Sequence, residues 1–241
     1  YFERPEILLY LFSAAVPLSF ATWQALINNF AIEQVAFSGV EIGMLQSLRE
    51  VPGFIAFGVI FLLLIIREQT VAFLALIALG IGTAITGFLP SIMGLYFSTV
   101  LMSMGYHYAE TIQQSLSLQL VSRDRLPVVM GRQIAVGSFT GLIVFGALFG
   151  FMEVLNVDYR WVYLTGGGLT VVIASFMYLK FPHFKGEAEQ HKKIILRKRY
   201  WLYYLLTFLS GARRQIFVVF AGFLMVEKFH FSVGEMALLF W

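Results

Sequence analysis

Long apolar stretches separated by short polar ones run through the whole chain. No Asp, Glu, Lys or Arg occurs in Ile7–Ile32, Gln69–Ala109, Gln133–Met152 or Trp161–Leu179. The hydrocarbon core of a bilayer takes about 20 apolar residues of helix, so these runs read as membrane spans. The pattern predicts seven spans and the start of an eighth. They are Ile7–Asn29, Met44–Ile66, Val71–Leu89, Ile92–Val121, Val128–Phe151, Trp161–Leu179 and Tyr200–Val226, with another apolar helix opening after Phe231-Ser232-Val233. Pro90 divides the longest charge-free run, with Phe88–Ser91 as the turn.

Composition agrees. Of 241 residues, 59% are hydrophobic and 13% charged, against about 25% charged in a soluble domain. That excludes disorder and an ordinary soluble enzyme. The absence of cysteine removes disulfides, thiolate metal sites and thiol nucleophiles. The four histidines, His107, His183, His191 and His230, fall in three separate regions. Neither H-E-x-x-H nor G-x-S-x-G occurs, so no metal, cofactor or enzyme activity is indicated. The chain opens on Tyr1 and stops at Trp241 inside an apolar run, as a piece of a longer protein would.

The net charge is +3, but its placement says more. Arg4, Arg67, Arg123, Arg125, Arg132 and the seven basic residues of 180–199 all fall at one end of the predicted spans, against Arg160 and Lys228 at the other. Short cytoplasmic loops carry the excess of Lys and Arg. The expectation is therefore a multi-pass protein of the cell (inner) membrane, with the N-terminus and the 180–199 segment cytoplasmic. That basic segment suits anionic lipid head groups better than nucleic acid, because both its ends run into spans.

Gly53–Phe61 and Gly141–Phe149 share five of nine letters, a faint repeat of the kind transporters use. The spacings Gly137–Gly141 and Gly146–Gly150, and the run Gly166-Gly167-Gly168, predict close helix packing.

Polar residues inside apolar helices carry the chemistry. A charge at mid-bilayer costs about 2.5–3.5 kcal/mol on insertion scales, so it needs a partner or a wet cavity. Ser13, Pro17, Gln24 and Asn28 share one helical face, and Pro17 leaves the Ser13 carbonyl without its helical partner. Ser103, His107, Glu110, Gln114 and Ser117 share another. Arg213 and Arg214 sit near the middle of the seventh span. The least costly arrangement points all three sets into one interior, with Glu110 opposite Arg213 or Arg214. His107 and Glu110 are the candidates for proton coupling. Arg49 and Glu50 are expected near the non-cytoplasmic surface, as a gate-like or interfacial pair.

In these features the chain resembles the major facilitator superfamily of secondary transporters, uncharacterised bacterial members included. The polar stripes fall on the first, fourth and seventh spans, which line the family's cavity. Pro127-Val-Val-Met-Gly131-Arg132 with Gly137 resembles its Pro…Gly-Arg…Gly pattern, and Gly211–Phe217 is similar to a group of bacterial members. The acidic loop motif between the second and third spans is missing: Leu62 stands at the acidic position, leaving a rebuilt lock through Asp124 with Arg123 and Arg125. The resemblance implies an all-α polytopic fold. Residues 1–180 would form a six-helix bundle, 181–199 a basic linker, and 200–241 the start of a second bundle. It implies transport of a small organic solute by alternating access, with protons as the coupling ion and the arginines favouring an anion. The alternative is a seven-span receptor-like protein, against which the orientation and the lack of a lysine within any span both argue.

Overall fold

The structure, a computed structural model, describes residues 3–185 and 197–241, with the side chains of residues 211–219 outside the description. Its described residues form helices joined by short turns.

The first, α1 (Pro5–Val35), is a 31-residue rod that carries Pro17 without breaking. It ends on Ala36 in the left-handed region, whose N–H returns to the Ile32 carbonyl. Ser38 and Glu41 then form a capping box that starts α2 (Gly39–Phe54). Pro52 and Gly53 sit at the end of α2, and the chain passes through a tight turn at Ala56–Gly58 into α3 (Val59–Leu63). Pro52 lacks the helical bond to the Leu48 carbonyl, but α2 runs on to Phe54 before the turn tightens. The second span therefore runs Gly39–Leu63, beginning before the expected Met44.

Next come α4 (Glu68–Thr86), α5 (Ile92–Leu120) and α6 (Leu126–Phe149), the last continuing as a wide π turn over Gly150–Val154. Asp158 caps α7 (Tyr159–Lys180). Beyond the basic segment lie α8 (Trp201–Phe229) and α9 (Val233–Phe240). The spans through α1, α2–α3, α4, α6 and α7 are each long and apolar enough to cross a membrane.

α4 packs between α5 and α7, and α1 runs along α6 and α7. Small residues set these approaches, though not all the anticipated ones. An added Cβ at Gly167 would strike the Gly80 carbonyl and Ala84, and one at Gly166 would strike Thr22. Gly105 likewise lies on the backbone of α4 at Ala75 and Leu79. Gly141, Gly146, Gly150 and Gly168 have no described atom within 4 Å of an added Cβ, so the tight-packing expectation fails there. Close contact comes instead from α4, α5 and α7. The Gly53–Phe61 and Gly141–Phe149 repeat also diverges: the first segment contains the helix break and the second is unbroken helix.

A better repeat lies at two helix corners. Phe37-Ser38-x-x-Glu41 and Phe231-Ser232-x-x-Glu235 each follow a left-handed cap, Ala36 (φ 56°) or His230 (φ 56°). Each then forms the same capping box. The α1–α2 corner is thus repeated as the α8–α9 corner. In that register Asn28 corresponds to Gly222, and these two residues touch.

Candidate functional site

About half-way along the second span, Arg49 and Glu50 meet Trp23 of α1 and Ser103 of α5. Arg49 lies about 15 Å of helix below Gly39. That is near the middle of the span and not at its surface, because α2 starts earlier than the hydropathy suggests. Its side chain is buried. Nη2 and Nε donate to Oε1 of Glu50 at 2.7 and 3.0 Å, and the guanidinium carbon stands 5.7 Å from the centre of the Trp23 ring. Ser103 of α5 donates to the Arg49 carbonyl. The carboxylate of Glu50 is more open than its partner, with its side chain 41% exposed against 9% for Arg49.

His107 lies one turn beyond Ser103, against Gly53. A Cβ at Gly53 would come within 2.7 Å of the imidazole, so the His107 ring occupies space that a side chain at position 53 would take. Gln46, buried one turn before Arg49 and Glu50, belongs to the same face of α2. The stripe Gln46, Arg49, Glu50, Gly53 has helical spacing, a signal in the sequence that the reading of single charges passed over.

Glu110 is exposed and accepts a hydrogen bond from the Tyr106 hydroxyl at 2.8 Å. Tyr106 in turn stacks on Phe20 of α1, centroids 4.1 Å apart. Glu110 and Gln114 line a cleft of about 310 Å³ between α1, α5 and α6, together with Ser13, Pro17, Gln113 and Gln133. Gln113 donates to Ser13 Oγ at 2.6 Å and Gln133 to Ser117 Oγ at 2.9 Å. These two glutamines stitch the three helices together. Neither was anticipated: Gln113 falls beside the α5 stripe that spacing selects, and Gln133 is on α6, where no stripe was selected. Gln24 is half-buried. Asn28 is buried, with Nδ2 facing Gly222 and Oδ1 without a hydrogen bond.

The structure therefore brings Ser13, Pro17, Glu110 and Gln114 to one cleft, and Arg49, Glu50, Ser103 and His107 to a second cluster in which Arg49 and Ser103 are buried and Glu50 is partly open. The pairing of Glu110 with Arg213 or Arg214 lies outside the described residues, since nothing is described of either arginine side chain; α8 spans both positions.

At the basic end, Arg125 pairs with Glu6 at 2.9 Å, not with Asp124. The pair ties the start of α6 to the start of α1, while Asp124 and Arg132 are exposed. In the loop that lacks the acidic motif, neutral groups hold the chain. Gln69 is buried; it donates to the Pro182 carbonyl at 2.9 Å and accepts from the Phe184 N–H at 3.1 Å. Gln119 donates to Glu68 at 2.5 Å.

No family model and no curated protein matches the chain. Solved structures do. The nucleoside transporter NupG is similar with a TM-score of 0.70 at 13% identity, over 98% of this chain and 63% of that one. A bacterial homologue of the human lysosomal transporter Spinster, in an inward-facing and occupied conformation, gives a TM-score of 0.65 at 15% identity, over 98% of this chain and 56% of that one. The chain spans less than two thirds of the length of either. At such identities the likeness is one of fold. That fold is all-α and polytopic.

Proposed function

We propose that the chain is the N-terminal portion of a secondary active transporter of the major facilitator superfamily. It moves a small organic solute by alternating access, in a cell membrane, with the basic end in the cytoplasm. Residues 1–180 act as the first bundle, 181–199 as the linker, and the region from 200 onward begins the second bundle. The polar faces of α1, α2 and α5 form one wall of the solute path. Arg213 and Arg214 of α8 supply positive charge for an anionic group on the solute. His107 and Glu110 are the candidate proton carriers, because His107 stands against α2 at Gly53, next to the Arg49–Glu50 pair, and Glu110 lines the cleft between α1, α5 and α6.

One observation carries this reading. An arginine and a glutamate occupy mid-span positions on α2, with Trp23 of α1 and Ser103 and His107 of α5 beside them. Intramembrane charges of that kind are costly and face paths or partners. Uptake or efflux of candidate solutes by the full-length protein in proteoliposomes tests it, comparing Glu110→Gln, Arg213→Gln and Arg214→Gln with the parent. Loss of movement in at least one variant that still folds supports the reading. Unchanged movement in all three removes the site assignment.

A further inference from the structure

The two bundles touch at the end opposite the basic one. Asn29 donates from Nδ2 to the Phe231 carbonyl at 2.8 Å. A Cβ at Gly222 would lie 3.0 Å from Asn28 Nδ2, and one at Gly39 would lie 3.7 Å from Phe223. Of these pairs, Asn28 and Gly222 are corresponding positions in the register that relates the α1–α2 corner to the α8–α9 corner. Near the basic end the first turns of α8 are different, for Trp201–Ser210 is exposed throughout.

One contact stands apart from the corner pairs. Glu153, in the π turn after α6, accepts the Gly234 N–H at 3.0 Å in the first turn of α9. Gly234 is buried, and a Cβ there would overlap the Glu153 side chain, lying 2.6 Å from Oε1. A side chain at position 234 and a docked Glu153 therefore exclude each other. The neighbouring first-turn groups are already used: the Glu235 N–H goes to Ser232 Oγ at 3.2 Å, and Glu235 Oε2 accepts the Ser232 N–H at 2.9 Å. A carboxylate at a helix N-terminus also meets the positive end of the helix dipole. The π turn is what carries Glu153 to that position, since it widens the end of α6 by one residue.

We propose that Glu153 and Gly234 form a latch between the bundles, holding the non-cytoplasmic end shut, and that release of the carboxylate from α9 is the step that opens that end to solute. The inference rests on the transporter reading and adds to it two positioning residues that set the balance between the two facings.

The test uses the full-length protein in membranes, with a single cysteine placed by Asn28→Cys in a background free of other cysteines. A membrane-impermeant maleimide is applied from each side in turn. Glu153→Ala and Gly234→Ala should each raise labelling from the non-cytoplasmic side roughly tenfold, the factor that about 1.4 kcal/mol sets in an equilibrium. Labelling from the cytoplasmic side should fall in step, whereas general loosening would raise both. Combining Glu153→Ala with Gly234→Ala should exceed neither single change by much, because both remove one contact. Unchanged labelling in both Glu153→Ala and Gly234→Ala overturns the latch. Altered labelling in a protein that moves no solute would keep the latch and sink the transporter reading. Solute movement with unaltered labelling would do the reverse.

Discussion

Arg49 and Glu50 are neighbours in sequence and partners in space, with Nη2 2.7 Å from Oε1 half-way along a membrane span. The arginine is buried and the glutamate is open on one side. A charged group left in that setting without its counter-charge is destabilising, whereas removing both charges is much milder. Glu50→Gln should cost about 1.5–3 kcal/mol, the range for hydrogen bonds to charged groups. The double change Arg49→Met/Glu50→Leu should cost less than Glu50→Gln alone. Thermal unfolding in detergent checks both, and an additive double change would contradict the pairing.

Glycine substitutions should separate along the packing and not along the sequence motif. Gly80→Ala and Gly167→Ala push a methyl group into the facing backbone, which should cost about 1–3 kcal/mol or more. Gly146→Ala meets nothing within 4 Å and should gain about 0.5–1 kcal/mol, the usual difference between glycine and alanine inside a helix. Melting temperatures of the three single variants decide the matter.

Those glycines also mark the limit of what could be read from the letters. The spacing of Gly137–Gly141 and Gly146–Gly150 predicts close packing as readily as Gly166-Gly167 does. Which of them packs depends on the helix that passes nearby, and α4 passes Gly167 while no described atom approaches Gly146. The helices were legible in the long apolar runs, and five of the expected spans are long and apolar enough to cross a membrane. The break after Pro52-Gly53 was written in the chain but merged into an apolar run. Gln113 and Gln114 are adjacent, so helical spacing alone could not choose the one that bonds Ser13. Arg49 was placed too near the surface because hydropathy started its helix at Met44, while Ser38 and Glu41 start it at Gly39. The Phe-Ser-x-x-Glu repeat was visible, but it sits at corners and not in the apolar runs that were compared.

The neutral clamp at the basic end is testable by exchange. Gln69→Ala removes one hydrogen bond to Pro182 and one from Phe184, each worth about 1 kcal/mol net. Amide exchange at Phe184 should rise by one to two orders of magnitude, with little change at α1 or α7. Unaltered protection would mean that the segment after α7 is held by other contacts.

Asp158 gives a pH dependence at the opposite end. Hydrogen bonds from the side chain and backbone N–H of Arg160 hold its carboxyl below the ordinary range. A depressed folded-state value means that the stabilisation is present above the unfolded value, near 4, and is lost as pH falls through the folded one. Asp158→Ala removes the cap and should cost about 1 kcal/mol at neutral pH. The gap between parent and variant should close on acidification, and a gap that widens would contradict the assignment.

The central claim is that the polar faces of α1, α2 and α5 border a wet path open to one side. Single cysteines at Glu110 and Gln114, compared with Leu74 and Val172 on exposed faces of α4 and α7, test it without knowledge of the solute. A water-soluble, membrane-impermeant maleimide applied from the cytoplasmic side should label the first two at least tenfold faster than the last two. Equal rates at all four positions, or faster reaction at Leu74 and Val172, would contradict it.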